Sequence, residues 1–321
     1  MRFSLICLLV LCTLIGCFQR NETPFIHDIP TGPTPWTSDQ FESEEVDFTF
    51  AIISDLTGGE RLGVYETAVA QLNRLEPTFV LSVGDLIEGG TVDTLQLAKE
   101  WESFDNRTAN LTMPFFNLGG NHDLTNPVMR AFYEKRFGRR YYHFVYENVL
   151  FLMMDSEDFE DQRMIEINEA RIEAMKIING EVEGVFEETP YYNMIESRVG
   201  GISQDQIEYF KSVLLKYPDV RWTFLLMHKP LWKREDDGGL QAIENLLADR
   251  PYSVFNGHLH TFSHRIRNGR DYTILGTTGG FQPAQDSMAF DHITLIRMTD
   301  KPVITHLKMD GILDEKGSIP K

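Results

Sequence analysis

Cysteine is scarce in this chain and badly placed for chemistry. The 321 residues include three, Cys7, Cys12 and Cys17, all at the N-terminus. From residue 18 onward there is no thiol. A cysteine nucleophile, a thiolate metal site and a disulfide framework are therefore excluded from the body of the protein. Positive charge is also short, because 30 Lys and Arg stand against 48 Asp and Glu, a net charge of -18. Such a surface repels phosphate backbones and anionic membranes, so no nucleic acid is expected as a partner. An acidic protein that handles phosphates needs positive charge from elsewhere, which favours bound metal cations. Internal repeats are absent. The hydrophobic content of 42% is enough to bury one large or two modest domains.

The first residues, MRFSLICLLVLCTLIGC, show Arg2, an unbroken apolar run and small residues before a cysteine. This is the layout of a secretory signal, and the run is too short and one-sided for a transmembrane span. Its end, Leu14-Ile15-Gly16-Cys17, resembles the bacterial lipobox, in which the cysteine is lipidated and becomes the mature N-terminus. An ordinary cleaved signal or an uncleaved anchor are the alternatives. The expectation is a signal peptide over 1–17, a lipid anchor at Cys17, and a protein of the cell envelope facing outside the cytoplasm. Residues 18–46 are rich in Pro, Thr and acid without apolar periodicity, and read as a flexible tether in which His27 is idle.

Beyond the tether, apolar runs alternate with helical patterns. FTFAIIS (48–54), TFVLSV (78–83), PFFNL (114–118), NVLFLMM (148–154), WTFLLM (222–227) and SVF (253–255) read as buried strands, followed by YTILG, HITLIRM and PVITHLKM. GVYETAVAQLNRL, SQDQIEYFKSVLLKY and GGLQAIENLLADR read as helices, the second opening with a Ser203–Gln206 capping box. The alternation predicts an α/β sandwich.

Five of the runs end in metal-type ligands. FAIIS runs into Asp55, LSV into Gly84-Asp85, FFNL into Gly119-Gly120-Asn121-His122-Asp123, FLLM into His228, and SVF into Asn256-Gly257-His258-Leu259-His260. Ligands bind beyond the carboxyl ends of strands in open α/β sheets. Singly, each is weak, since an Asp after a strand is more often a turn or cap residue. GHLH says more: residues two apart on an extended chain splay, so only a bend lets both nitrogens converge. Together, in this order, they point to one site.

These blocks resemble the calcineurin-like metallophosphoesterases, the family that includes purple acid phosphatases and many phosphodiesterases. The resemblance runs from about Phe48 to Met298, with ISDLT, VGDLIE, GGNHD, LLMHKPL and NGHLH in family order. It implies a metallophosphoesterase-type β-sandwich of two mixed sheets flanked by α-helices, over residues 47–310. It also implies two divalent or trivalent ions, Mn, Fe or Zn. Carried over, Asp55, Asp85 and His260 bind one ion, and Asp85, Asn121, His228 and His258 the other, with Asp85 bridging. Carboxylate, amide oxygen and neutral imidazole suit such ions. Two ions about 3.5–4 Å apart clamp phosphoryl oxygens and make hydroxide available near neutral pH. By the same resemblance, His122 faces the leaving group as general acid or stabilising cation. Asp123 then orients its ring and raises its pKa.

One position departs from the family. Its DxH has Thr57 where histidine is expected. Three readings stay open: Thr57 holds a water, the first site is weak or takes another metal, or a nearby group substitutes. Glu88, at the GDxxY tyrosine position of purple acid phosphatases, is the candidate substitute. A second departure is the acidic insertion at 157–196. The stretch 155–196 has thirteen acids against Arg163, Arg171 and Lys176, a net of −10. Ile165, Ile172, Met175 and Ile178 suggest one face of a solvated helical hairpin; a lid or partner surface is the alternative. Tyr191 and Tyr192 either line the crevice or pack the hairpin. His264 and Arg265 read as polar loop residues, His143 and His292 as structural, and Trp232 as a candidate border of the pocket.

The function expected is metal-dependent hydrolysis of a phosphate ester, mono- or diester. The rival is a catalytically silent binding module that keeps the fold but has lost a productive first metal through Thr57.

Overall fold

The computed structural model describes residues 25–41, 45–236 and 239–309. The expected signal peptide and Cys17 lie outside the described residues. The strands are β1 (Phe25–His27), β2 (Phe48–Ile53), β3 (Phe79–Ser82), β4 (Phe115–Phe116), β5 (Tyr142–Tyr146), β6 (Val149–Met154), β7 (Trp222–Met227), β8 (Tyr252–Asn256), β9 (Ser263–Arg267), β10 (Arg270–Ile274), β11 (His292–Met298) and β12 (Pro302–Lys308). The helices are α1 (Val64–Leu75), α2 (Thr94–Thr108), α3 (Asn121–Leu124), α4 (Pro127–Phe137), α5 (Asp161–Ile178), α6 (Pro190–Asn193), α7 (Gln204–Lys216) and α8 (Leu240–Leu246).

Two mixed sheets stack face to face. One has the order β1-β5-β6-β7-β8-β10-β9, the other β12-β11-β2-β3-β4. The parallel strands β2, β3, β6, β7 and β8 are apolar at nearly every position because both faces are covered, which is why they read as continuous runs rather than alternations. Between the sheets, Phe50, Phe79, Phe116, Phe144, Phe151 and Phe224 form the core, with the Phe144 and Phe151 rings 4.5 Å apart. On the outer face of the smaller sheet, Leu72 of α1, Trp101 of α2 and Tyr133 of α4 pack together, and Phe210 of α7 and Ile243 of α8 cover the larger one. Ser203 caps α7 as expected, its hydroxyl accepting from Gln206 N. The fold is the expected sandwich.

The tether expectation fails over residues 25–41. β1 pairs antiparallel with β5, Trp36 bridges to Phe116, and Phe25, Ile29 and Trp36 are buried. Isolated large side chains did this without any periodicity, since burying each contributes roughly 1.5–3 kcal/mol. His27 is part-buried there, its Nδ1 accepting from Ile29 N.

The acidic insertion is not a hairpin of two helices. It is one long helix, α5, with a return built from short turns at Phe186–Glu188, Pro190–Asn193 and Ile195–Ser197. Its buried face is not the predicted one. Ile165, Ile172 and Ile178 are exposed and Met175 is half-buried, whereas Met164, Ile167, Asn168 and Ala174 are buried. Ile167, Ala174 and Tyr191 form a small core of their own, with Phe159 and Phe186 against it. That rotation places Arg171 on the inward side.

Candidate metal centre

The carboxyl ends of β2, β3, β4, β7 and β8 meet at one edge of the sandwich, and the structure brings the six predicted ligands together there. Asp55, Asp85 and His260 place ligand atoms within 4.8 Å of one another, and so do Asp85, His228 and His258. Asn121 joins the second group, its Oδ1 lying 3.2 Å from His228 Nε2. The local backbone is strained to achieve this. Asp55, Asp85, His258 and His260 have φ of 50°, 58°, 75° and 54°, a region that costs side-chain-bearing residues about 1–3 kcal/mol each. The two histidines of GHLH thus converge through the bend their spacing required. Gly84, at φ 104°, has no room for a side chain, since a Cβ would lie 2.7 Å from Gly120 N.

Backbone carbonyls fix the imidazoles. His228 Nδ1 contacts Val83 O at 2.9 Å, so its proton lies there and Nε2 turns to Asp85 Oδ2 at 3.1 Å. His260 Nδ1 contacts the Phe281 carbonyl, leaving Nε2 at 3.2 Å from Asp55 Oδ1. His258 Nε2 contacts Ser197 O at 3.0 Å, which leaves Nδ1 to bind. His258 N also donates to both oxygens of Asp55, at 3.0 and 3.1 Å.

The cluster calls for positive charge. Burial opposes a proton on His228, but the Asp85 carboxylate beside it pushes its pKa up to about 9. Against burial, which favours the neutral acid, His228 and His122 hold Asp85 well below the usual carboxylate range. His260 is likewise raised by Asp55 against burial. His258 stays neutral, pushed down by burial and then by the charge of Lys229. The Asp85 carboxylate and the Asn121 amide oxygen both lie within 3.2 Å of the His228 imidazole nitrogen. A divalent cation answers that demand as a proton does, so the donor set fits a metal.

Two expectations about the GNHD block are corrected. Asp123 does not touch the His122 ring. Its carboxylate accepts from the backbone N–H groups of Asp85, Leu86, Ile87 and Gly120 at 2.8–3.2 Å, pinning the loop that carries Asp85. The ring is held instead by the Glu88 carbonyl, 2.7 Å from Nδ1. The His122 pKa is not raised: burial lowers it, and Arg171 adds to that against the pull of Asp85.

The open readings of Thr57 narrow as well. Its hydroxyl is buried and donates to Ile87 O at 2.6 Å, with Asp85 O at 3.1 Å, so it ties two loops. The Glu88 carboxylate accepts from Gly59 N at 3.0 Å and Glu60 N at 2.8 Å, and belongs to neither ligand group. His264 lies on β9, not in a loop, with Nε2 2.8 Å from Asp271 Oδ1. Arg265 rests over the Trp232 ring at 5.1 Å. Trp232 is buried, donating to Asn256 Oδ1 at 2.8 Å, and does not reach the pocket lining.

A cavity of about 710 Å³ opens over the cluster, lined by Asp85, Asn121, His122, His258, His260 and Glu88 among others. The calcineurin-like phosphoesterase family model matches residues 48–262, more than half of the chain. The chain belongs to the calcineurin-like phosphoesterase family. Among solved structures it is similar to a dimetal phosphatase from Danio rerio, at 14% identity and a TM-score of 0.58, covering 81% of this chain and 96% of that one. PhoD matches at 10% identity and a TM-score of 0.52, over 83% of this chain and 70% of that one. Purple acid phosphatase PPD1 from yellow lupin seeds matches at 12% identity and a TM-score of 0.50, over 86% of this chain and 53% of its own. At such identities the likeness concerns the fold. No curated protein matches the chain.

Sequence reasoning missed the one cation of the cavity wall among the described residues. Arg171 lines it from the insertion, its Nη2 3.4 Å from His122 Nε2. The period through Met164, Ile167, Arg171 and Ala174 carried that signal; of the predicted face, Met175 and Ile178 line the cavity and Ile165 and Ile172 do not.

Proposed function

We propose that this protein is a hydrolase of phosphate esters working with two metal ions, Mn, Fe or Zn. The observation that carries the reading is the convergence of Asp85, His228 and Asn121 lone pairs, with the His228 tautomer fixed by a backbone carbonyl. In this reading Asp55, Asp85 and His260 hold one ion, and Asp85, Asn121, His228 and His258 the other. When bound, the ions polarise phosphoryl oxygens and lower the pKa of a coordinated water. The chain's own residues do the rest. Asp123 holds the Asp85 loop still through four backbone N–H groups. His122, its Nδ1 proton held on the Glu88 carbonyl, presents Nε2 to the cavity, and once a second proton is taken up there it faces the ester oxygen that leaves. Burial, and then Lys229, itself paired with Glu157 at 2.8 Å, hold the His258 imidazole neutral.

The chain is further proposed to be carried to the cell envelope by the signal at 1–17 and anchored by lipid at Cys17, facing outside the cytoplasm. Fractionation tests this: the native chain should sediment with membranes, and a Cys17→Ala variant should not. For the hydrolase reading, the protein is loaded with Mn, Fe or Zn, its metal content measured, and mono- and diesters offered. Two ions per chain with turnover support it. A folded chain that takes up no metal is instead a silent module of the same fold.

A further inference from the structure

The insertion contributes a charge to the cavity that the family blocks do not contain. Of the three cations in the 155–196 stretch, Arg163 pairs with Glu196 at 3.0 Å and Glu166 at 2.9 Å, and Lys176 pairs with Glu173 at 2.7 Å. Among the described residues no carboxylate pairs with Arg171, although acids outnumber cations thirteen to three around it. Its guanidinium turns inward instead, to 3.4 Å from His122 Nε2. Gly90 makes the room: a Cβ there would lie 2.7 Å from Arg171 Nη1. Arg171 is the one Lys or Arg among the described residues that line the cavity, against the carboxylates of Asp85 and Glu88.

The base of the insertion is fixed, so this placement is built in. Lys229 Nζ donates to Glu196 O at 2.8 Å, Ser197 O holds His258 at 3.0 Å, and Arg140 pairs with Asp155 and Asp158 at the other end. A half-buried cation-bearing arm aimed into an acidic cavity, without an acid paired to it among the described residues, awaits an anion. Met175, Ile178, Tyr191 and Phe281 line the same cavity and give it an apolar side.

We propose that Arg171 is a substrate-binding residue: its guanidinium grips the non-bridging oxygens of the phosphoryl group, and the apolar side of the insertion receives an uncharged organic group. The substrate class is a phosphate ester carrying one phosphoryl charge centre and a partly apolar alcohol or phenol. A planar donor pair fits two phosphoryl oxygens, which a lysine at that place does not reproduce. The proposal rests on the phosphate-ester reading of the site, and its test separates the two.

Inorganic phosphate is titrated calorimetrically into the metal-loaded protein, alongside metal analysis, for wild type, Arg171→Gln, Arg171→Lys and Lys176→Gln. Expected is a loss of phosphate affinity of roughly ten- to a hundred-fold in Arg171→Gln, partial recovery in Arg171→Lys, none lost in Lys176→Gln, and metal content unchanged throughout. With phenyl phosphate as substrate, KM should rise by a similar factor. Arg171-dependent phosphate binding without turnover of any ester would uphold the grip and sink the hydrolase reading. Turnover with phosphate affinity and KM unchanged in Arg171→Gln would overturn the grip alone, as would a wild type that binds metal but no phosphate.

Discussion

The Thr57 hydroxyl donates to the carbonyl of Ile87 at 2.6 Å, joining the loop that carries Asp55 to the loop that carries Asp85. Thr57 is thereby a fastener between two ligand-bearing loops. Thr57→Val should leave metal stoichiometry as in wild type and lower stability by about 1–3 kcal/mol, the cost of the buried Ile87 carbonyl left without its hydroxyl donor. Thermal unfolding and metal analysis check both halves. Thr57→His, introduced at a position only 1% exposed, should destabilise by overpacking rather than tighten the first ion.

Glu88 binds two backbone N–H groups, so its role is to shape the turn at Gly59 and Glu60. Glu88→Gln should bind as much metal as wild type in a calorimetric titration. Asp55→Asn, measured beside it, should lose the first ion. Equal losses in both variants would make Glu88 a ligand.

His122 and Asp123 are neighbours in sequence with separate tasks. His122→Ala should retain metal but slow turnover by roughly two to four powers of ten, less for substrates with good leaving groups. Asp123→Ala strips the partner from four backbone N–H groups beside Asp85. It should cost roughly 3 kcal/mol or more and release metal along with activity. Metal content measured after gel filtration tells the two apart.

Strands and ligands were legible because each leaves a local mark. β7 coincides with WTFLLM, since a strand covered on both faces is apolar at nearly every position, and β11 coincides with HITLIRM. Asp55, Asp85, Asn121, His228, His258 and His260 each stand where such a run stops. What could not be read was set by contacts distant in sequence. Trp36 gains burial against Phe116 and Tyr142, 80 and 106 residues on. Asp123 sits in the motif next to His122, but its carboxylate finds the backbone of residues 85–87 instead. The inward face of α5 was decided by Tyr191 and Phe159 packing on Ile167 and Ala174, not by Ile165 and Ile172.

Buried neutral histidines away from the site set an acid limit on stability. Burial, and then the neighbouring His306, pushes His292 down to about 3, and among the described residues its buried Nδ1 has no hydrogen-bond partner. The folded value lies below the unfolded value of about 6.5, so the unfolded chain binds the proton more readily. The stability is therefore fully present above about pH 6.5 and is lost as pH falls toward 3. Calorimetric melting in chelator from pH 7 to 4 should show a falling midpoint, and His292→Phe, beside Phe262 and Phe290, should flatten that limb. An unchanged slope would assign the acid loss to other groups.

Asp85 is the residue that both ligand groups share, so its replacement is the most direct test of a two-ion phosphoesterase centre. The measurement is metal content per chain after loading with Mn, Fe or Zn and dialysis, with ester turnover followed on the same samples, for wild type and Asp85→Asn. Two ions and turnover are expected in wild type. In Asp85→Asn both ions and nearly all turnover should be lost, with the far-ultraviolet circular dichroism of the sandwich retained. Wild-type metal content and turnover in Asp85→Asn would contradict the account.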